Sequence, residues 1–304
     1  MQADDITSAF LREWPLPQPR HDGDKEARGH VMVVAGSREM PGAAILAGTA
    51  ALRAGAGKLT VATAASVSAV VGAAMPEARV AGLAETAAGG FTADSTRRLA
   101  ELASKADAVL IGPGMQDEVA TSELVHALLP RLGSTPLILD AGALAALCPP
   151  REPHLLEDPV DWEQFRFTGS VLLTPHAGEM ARVTGAQRSA IEHEPHAAAA
   201  QAAARWNAVV ALKGATTVLA APGGKLWQHR GGNVGLAISG SGDVLAGIIA
   251  GLSARGATLA QAAAWGVALH ASTGEQLSIR YGVLGYLARE ISAEIPALLR
   301  TLAP

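Results

Sequence analysis

The chain has 304 residues, of which 49% are hydrophobic, and this is enough apolar material for one large α/β domain or two smaller ones. Its formal net charge of -4 and its lack of a basic stripe argue against nucleic acid as a partner. A single cysteine, no clean apolar run of about 18–20 residues and no secretory signal pattern together predict a cytoplasmic globular protein without a membrane span.

A polar tail is expected over residues 1–28, followed by short apolar runs that alternate with helical patterns. The first run, "HVMVVAG" at 30–36, is typical of a buried strand, and Pro41 and Gly55 suit the start and end of the next helix. Similar strands, each closed by a glycine or a polar turn, are predicted at 58–63, 107–114, 136–142, 170–179 and 207–214.

This alternation predicts an α/β fold with a mainly parallel sheet covered by helices on both faces, in three layers. Residues 216–229 differ, because two strand-like runs flank a Pro-Gly-Gly turn and indicate an antiparallel hairpin at one edge. Helices are expected at about 243–254, 259–274 and 283–299, and residues 150–168 are typical of a surface excursion. Without a repeat or a linker, residues 29–304 are predicted to form a single domain.

Chemistry-bearing residues follow several of these strands. Ligands of open parallel sheets bind beyond the carboxyl ends of the strands, so the strand-end turns are expected to converge there. These turns hold Gly112, Gly114, Asp140, His176, Glu179 and Lys213.

The stretch "SGSGD" at 239–243 precedes a strongly apolar helical pattern. Its first backbone N–H groups have no helical acceptors, and together with the helix dipole they form a site suited to phosphate. On the local pattern, Asp243 is compatible with two roles: a helix N-cap, or a general base that takes a proton from a hydroxyl group beside the phosphate. "GSGD" alone is short enough to recur by chance.

Seven blocks in this order and spacing resemble the ADP/ATP-dependent NAD(P)H-hydrate dehydratases, a family of the ribokinase-like superfamily. The resemblance covers roughly residues 21–299. Its blocks are "VMVVAGSREMPGAAILAGTAALRAGAGKLTVAT", "MPEARV", "DAVLIGPGM", "LILDAGAL", "LLTPHAGEMARVTG", "VVALKGATTVLA" and "GNVGLAISGSGDVLAGIIAGL". The wider superfamily shares only the glycine-rich turn and its aspartate, so the other blocks separate this family from sugar and vitamin kinases.

The resemblance implies a ribokinase-like fold and repair of NADH and NADPH that carry water at C6 of the nicotinamide ring. Family members dehydrate the S epimer of NADHX or NADPHX, with ADP in bacteria and archaea and ATP in eukaryotes, and with ADP they release AMP and phosphate. Hydroxide is a poor leaving group, so the C6 hydroxyl would first be phosphorylated. Asp243 would take the hydroxyl proton while the amides of Gly240 to Gly242 hold the phosphoryl group.

The family motifs also assign the nucleotide contacts. The assigned residues are Lys213, Gly214, Ala215, Thr216 and Thr217 of "LKGATT", with Gly240, Ser241 and Gly242. Without the family, Lys213 is also typical of a surface lysine whose stem packs before a turn.

The resemblance places Gly42, Ala43, Gly114, His176 and Asp243 against the hydrated dinucleotide. The small residues would leave room for the ligand, although tight turns alone also explain them. Glu179 would hold Mg²⁺ through water, or it only begins the next helix. Asp140 would assist metal or substrate binding.

Four departures from the family pattern are present: Gly142 in "DAG" where "DAD" is common, Ser239 for a glycine, Val234 for a proline, and "HDGD" at 21–24 for "HKG". The chain is too short for the epimerase domain that many relatives carry, which needs about 200 further residues, so any epimerase is expected to be a separate partner protein. The resemblance further implies a homotetramer.

Two other functions remain compatible with the sequence. An ordinary kinase of a small alcohol, such as a thiazole or sugar kinase, would share the fold and Asp243. A nucleotide sensor without activity would keep the pocket, and the change to Gly142 is consistent with that.

Overall fold

The computed structural model describes residues 2–19, 24–92, 94–148 and 164–302. Within these ranges, ten strands form one sheet. The strands are β1 Asp4–Asp5, β2 His30–Val34, β3 Lys58–Ala64, β4 Arg79–Leu83, β5 Ala108–Ile111, β6 Leu137–Leu139, β7 Val171–Leu173, β8 Val209–Leu212, β9 Thr216–Ala220 and β10 Leu226–Arg230. Residues 20–23, which include most of "HDGD", and residues 149–163, which include most of the 150–168 segment, lie outside the described residues.

The strand order is β1-β10-β9-β8-β7-β6-β5-β2-β3-β4. Strand β9 runs antiparallel to both β8 and β10, and the remaining pairs are parallel. The predicted mainly parallel sheet with an antiparallel hairpin is therefore confirmed. The hairpin is one strand away from the edge, because β1 pairs with β10 and shields its outer side.

Helices cover both faces of the sheet. They are α1 Ser8–Glu13, α2 Pro41–Arg53, α3 Ser68–Ala74, α4 Ser95–Ala103, α5 Glu118–Leu132, α6 Ala177–Thr184, α7 Arg188–His193, α8 Pro195–Trp206, α9 Ser241–Ala254, α10 Leu259–Tyr281 and α11 Ala288–Leu302. Alternate strand residues enter different cores: Val31 and Val33 pack on the side of α2, α9 and α10, while Met32 and Val34 pack on the side of α4, α5 and α8. In the described ranges, no helix combines the length and apolar character needed to cross a bilayer.

The N-terminal segment is folded onto the domain, in contrast to the polar tail predicted over residues 1–28. Strand β1 and helix α1 lie there, and Ile6 and Leu11 are buried in the main core. Trp265 Nε1 on α10 also donates a hydrogen bond of 2.8 Å to the Trp14 carbonyl oxygen. The few apolar residues of this segment are widely spaced, so no periodic pattern revealed their burial.

Helices α2 and α9 pack with their backbones in contact. A Cβ atom added at Gly247 would overlap the Ala47 carbonyl oxygen, and one at Gly251 would overlap that of Ala51. Helix α2 therefore buries its alanine and glycine side, whereas Ile45 is only partly buried. The high content of small residues produces this close layering.

Candidate active site

The carboxyl ends of β6, β7 and β8 are neighbours, and each is followed by a polar residue. Asp140 follows β6 and is 1% exposed, Thr174 follows β7, and Lys213 follows β8. Lys213 Nζ lies 2.9 Å from Asp140 Oδ1, and Thr174 Oγ1 donates to the same oxygen at 2.7 Å. The expected convergence of strand ends is thus present for these residues.

Lys213 is shared between several carboxylates. Its Nζ also lies 3.8 Å from Glu179 Oε2, and its side chain is only 20% exposed. Burial lowers the pKa of Lys213, but the carboxylates of Asp140, Glu179 and Asp243 outweigh burial and raise this pKa above its ordinary value. Lys213 therefore remains an ammonium ion, and it is held inside the rim of the sheet rather than at its surface.

Asp243 is the third residue of α9, and Gly240, with φ of 88°, is the residue that precedes the helix. Asp243 is therefore not the N-cap, and this alternative from the sequence is wrong. Its carboxylate accepts no hydrogen bond from any described residue. Burial, together with the negative charge of Asp140, raises the pKa of Asp243 to about 7, although Lys213 opposes the shift. A carboxylate with this pKa is suited to proton transfer near neutral pH.

The amides at the start of α9 are only partly free. Within the described part of the chain, neither Gly242 N nor Asp243 N has an acceptor. Ser241 N, expected to be free as well, instead donates to the Ile238 carbonyl oxygen at 3.3 Å. A Cβ atom added at Gly242 would lie 3.6 Å from Lys213 Nζ, so an anion bound at these amides would also meet the ammonium group.

His176 and Glu179 form the start of α6. His176 Nδ1 accepts hydrogen bonds from Gly178 N at 3.0 Å and Glu179 N at 3.2 Å, and Glu179 Oε2 accepts one from His176 N at 2.8 Å. This is a capping box with histidine as the N-cap. The His176 side chain is 57% exposed and can still contact a ligand, while Glu179 both begins the helix and faces Lys213.

No cluster of three or more histidine, cysteine or acidic side chains that could hold a metal ion occurs among the residues that the structure describes. Mg²⁺, however, keeps several waters and commonly uses one or two carboxylates with substrate phosphates. Glu179 and Asp140, beside free amides that suit phosphate, fit that arrangement.

The ends of β2 and β5 carry the small residues. Gly114 has a φ of +63°, and a Cβ atom added there would lie 2.5 Å from Ala43 Cβ and 2.9 Å from the Met40 carbonyl oxygen. Gly42 is exposed, and an added Cβ atom would meet nothing within 4 Å. Gly114 is thus required by a tight turn, whereas Gly42 faces open space.

The turn of "DAG" is closely packed. A Cβ atom added at Gly142 would lie 2.7 Å from the Met115 carbonyl oxygen, and Ala141 has a φ of 46°. A larger residue at Gly142, such as the aspartate that is common in the family, would require this backbone to move. The packing around Gly142 therefore suits the glycine that this chain has there.

The "LKGATT" motif turns from β8 into β9. Gly214 and Ala215 form an exposed bend, and Thr216 and Thr217 begin β9 partly buried. Lys213 N donates to the Pro175 carbonyl oxygen at 2.8 Å, which holds this bend against the segment that carries His176. The motif therefore lies beside the start of α9, which carries Asp243, because Lys213 is close to Gly242.

Known proteins resemble this chain both in sequence and in fold. The sequence profile of the NAD(P)H-hydrate dehydratase family matches residues 31–297. A protein of Xanthomonas campestris, named ADP-dependent (S)-NAD(P)H-hydrate dehydratase, is 48% identical over 98% of this chain and 96% of its own length. The chain belongs to the NAD(P)H-hydrate dehydratase family.

Two further relatives are a longer, bifunctional protein and a protein of known crystal structure. A bifunctional NAD(P)H-hydrate repair enzyme of Moorella thermoacetica is 39% identical, and the chain spans only 54% of its length. The crystal structure of the ADP/ATP-dependent NAD(P)H-hydrate dehydratase of Bacillus subtilis, co-crystallised with ATP/Mg²⁺, superposes with a TM-score of 0.82 at 30% identity and covers 99% of both chains. The ribokinase-like fold implied by the sequence motifs is thereby confirmed.

Two residues of this site carried no recognisable sequence signal. Thr174 stands in the block "LLTPHAGE" but only its hydrogen bond to Asp140 distinguishes it. His270 lies in an apolar helical stretch that gave no reason to single it out, yet its Nε2 is 2.9 Å from Ser241 Oγ. Contacts between residues 29 positions apart cannot be read from local pattern.

Proposed function

We propose that this protein uses ADP to dehydrate the S epimer of NADHX and NADPHX, which yields NADH or NADPH with AMP and phosphate. The observation that carries the proposal is the carboxylate of Asp243, with a pKa of about 7, beside the free amides of α9 and the ammonium group of Lys213. The name of the Xanthomonas relative supports the choice of substrate and of ADP.

Proton removal and phosphoryl transfer occur at the start of α9. Asp243 takes the proton of the C6 hydroxyl group. At the same time, the oxygen of this hydroxyl group attacks the terminal phosphorus of ADP, and AMP leaves. Gly242 N and Asp243 N, which have no acceptor among the described residues, and the nearby Lys213 ammonium group stabilise the charge on the transferring group. The lone pair of the ring nitrogen then drives the departure of phosphate from C6, which leaves an iminium ion. Loss of a proton from C5 to the departing phosphate restores the dihydropyridine.

The nucleotide lies along the bend after β8. We assign it to Lys213, Gly214, Ala215, Thr216 and Thr217, and to Gly240, Ser241 and Gly242. Glu179 would hold Mg²⁺ through water, and the ion would neutralise phosphate charge. Asp140 keeps Lys213 in place beneath the phosphates through the 2.9 Å ion pair.

The hydrated dinucleotide lies across the ends of β2, β5 and β7. Gly42 offers open space to its backbone, Ala43 and Gly114 form the close turn beneath it, and the exposed ring of His176 contacts it. Gly42 acts by leaving room, so a larger side chain there would collide with the ligand rather than with the protein.

We further propose that the protein is a cytoplasmic homotetramer and that each subunit has a single catalytic domain over residues 29–304. The bifunctional relatives support a functional link to an epimerase.

The experiment is the gain in absorbance at 340 nm when the purified protein is mixed with hydrated NADH and either ADP or ATP. Recovery of NADH with a nucleotide, and none without it, supports the proposal. A phosphorylated small alcohol without NADH recovery would instead establish a kinase, and nucleotide binding without any turnover would indicate a sensor.

A further inference from the structure

His270 on α10 contacts the turn that begins α9. Its Nε2 lies 2.9 Å from Ser241 Oγ and 3.1 Å from the Ser241 carbonyl oxygen. This nitrogen is thus shared by two atoms of one residue, and that residue stands between Gly240 and Gly242.

The contact with the carbonyl group defines which ring nitrogen carries the proton. A carbonyl oxygen can only accept a hydrogen bond, so Nε2 must be protonated and donate to it. Burial lowers the pKa of His270 to about 4, against a smaller opposite effect of the Ser241 carbonyl group, so the ring is neutral near pH 7. The neutral ring with its proton on Nε2 therefore donates to both oxygens of Ser241.

Ser241 is the point at which this turn can be held. Gly240, with a φ of 88°, precedes α9 and Gly242 is its second residue, and neither glycine has a side chain through which the turn could be anchored. Ser241 supplies the only side chain of residues 240–242, and this residue is 4% exposed. A bond to Ser241 therefore restrains the shape of the entire turn.

We propose that His270 is a positioning residue, which fixes Ser241 so that the N–H groups of Gly242 and Asp243 converge on a phosphate group of the bound nucleotide. His270 itself touches neither phosphate nor the reacting atoms. The identity of this anion rests on the proposed function, whereas the restraint of the turn follows from the contacts of His270.

A purely structural role of His270, as a link between α9 and α10, makes a different prediction. Loss of such a link would weaken all ligands that need the folded rim, including those without phosphate. Loss of the positioning role weakens phosphate-bearing ligands selectively. Adenosine, which has no phosphate, and ADP therefore distinguish the two roles.

The test measures ADP and adenosine binding by calorimetry for the full chain and for His270→Leu, together with kcat and KM for ADP in the NADH recovery assay. We expect ADP to bind about tenfold more weakly to His270→Leu, the value of one hydrogen bond that acts on a charged group, and KM for ADP to rise in parallel. Adenosine affinity stays within about twofold, as expected for a ligand that lacks the affected contact. Equal weakening of both ligands, or unchanged ADP binding, would overturn the proposal.

Two further variants keep the test decisive. His270→Gln can place an amide N–H near the position of Nε2 and should restore most of the ADP affinity, whereas the shorter His270→Asn should not. This pair decides the question even if His270→Leu does not fold. Weak ADP binding by both polar variants would count against a role for the Nε2 donor.

The coupling to Ser241 can be measured directly. The double variant Ser241→Ala/His270→Leu should bind ADP no more weakly than the single variant with the lower ADP affinity, because both substitutions remove the same contact. His196→Leu is the matched control, because His196 is also partly buried and its Nε2 lies 2.9 Å from Gln228 Oε1, on a different part of the sheet. It should leave ADP binding unchanged.

Failure of the proposed function would be visible separately. If the wild-type protein binds ADP but recovers no NADH, the dehydratase proposal fails and the binding comparison still tests His270. If the wild-type protein does not bind ADP, both proposals fail.

Discussion

The two halves of the sheet rim are built in different ways. At β6, β7 and β8, charged side chains hold one another through ion pairs and hydrogen bonds that involve Asp140, Lys213 and Glu179. At β2 and β5, glycines and alanines pack backbone against backbone, as around Gly114. The charged half can be disturbed by removing a partner, and the small-residue half by adding atoms. Substitutions in each half should therefore fail for opposite reasons.

The largest effect is expected in the charged half, at Asp243. Asp243→Asn preserves the shape of the side chain but removes the base, so dehydration should fall by about a thousandfold, within the usual range for a general base. ADP binding should persist. NADH recovery at 340 nm, with calorimetry for ADP, checks both parts, and near-normal turnover would show that another group accepts the proton.

In the small-residue half, Gly112→Ala is expected to be the most damaging change. Gly112 has a φ of +128°, and an added Cβ atom would overlap the Asp140 carbonyl oxygen. Backbone strain and overpacking together should lower the free energy of unfolding by about 3 kcal/mol. Gly42→Ala is the matched control: thermal unfolding should be unchanged, while KM for the hydrated dinucleotide rises.

Removal of Lys213 tests whether the charged half depends on its central cation. Lys213→Met leaves Asp140 buried with the Thr174 hydroxyl group as its one side-chain hydrogen-bond partner among the described residues. Stability in the absence of nucleotide should therefore fall by about 2 kcal/mol, less than for a fully buried pair because the lysine is partly exposed. Denaturant unfolding measures this. The double variant Lys213→Met/Asp140→Asn should recover part of the loss, and no recovery would show that the pair is not the cause.

A smaller effect is expected at His176, which caps α6 and which we propose contacts the substrate. His176→Ala should cost about 1 kcal/mol of stability, because two amides of α6 lose their acceptor. His176→Asn can keep the cap and should restore stability, yet KM for the hydrated dinucleotide should remain raised in both variants. If His176→Asn restores KM as well, the ring does not contact the substrate.

The least conspicuous effect is the pH dependence of stability. The folded protein binds a proton at Asp243 more tightly than the unfolded chain does, because its pKa is raised from 3.8 to about 7. The ionised group therefore destabilises the fold, and this penalty grows as pH rises from about 4 to about 7. The melting temperature of Asp243→Asn should exceed that of the wild type at pH 8, and the difference should vanish near pH 4. A difference that is independent of pH would contradict the raised pKa.

The sheet was largely predictable because its strands are short apolar runs closed by glycine or polar turns, as at β2 and β8. Two strands escaped this reasoning. β4 alternates exposed and buried residues at a sheet edge, and β1 has only two residues. The residues of the charged rim were named from sequence, whereas the shared position of Lys213 and the donor of His270 were not, because both depend on contacts between distant segments.

The backbone contact between α2 and α9 has a consequence for how the protein can move. Gly42 and Ala43 stand at the N-terminal end of α2, and Asp243 stands at the N-terminal end of the neighbouring helix α9. Because the backbone of Gly247 directly contacts the backbone of Ala47, no flexible side chains separate the two helices that could rearrange and let one slide along the other. The distance between the starts of α2 and α9 is therefore fixed by a contact about one helical turn further along each helix. In the proposed function, this contact sets the spacing between Asp243 and the dinucleotide.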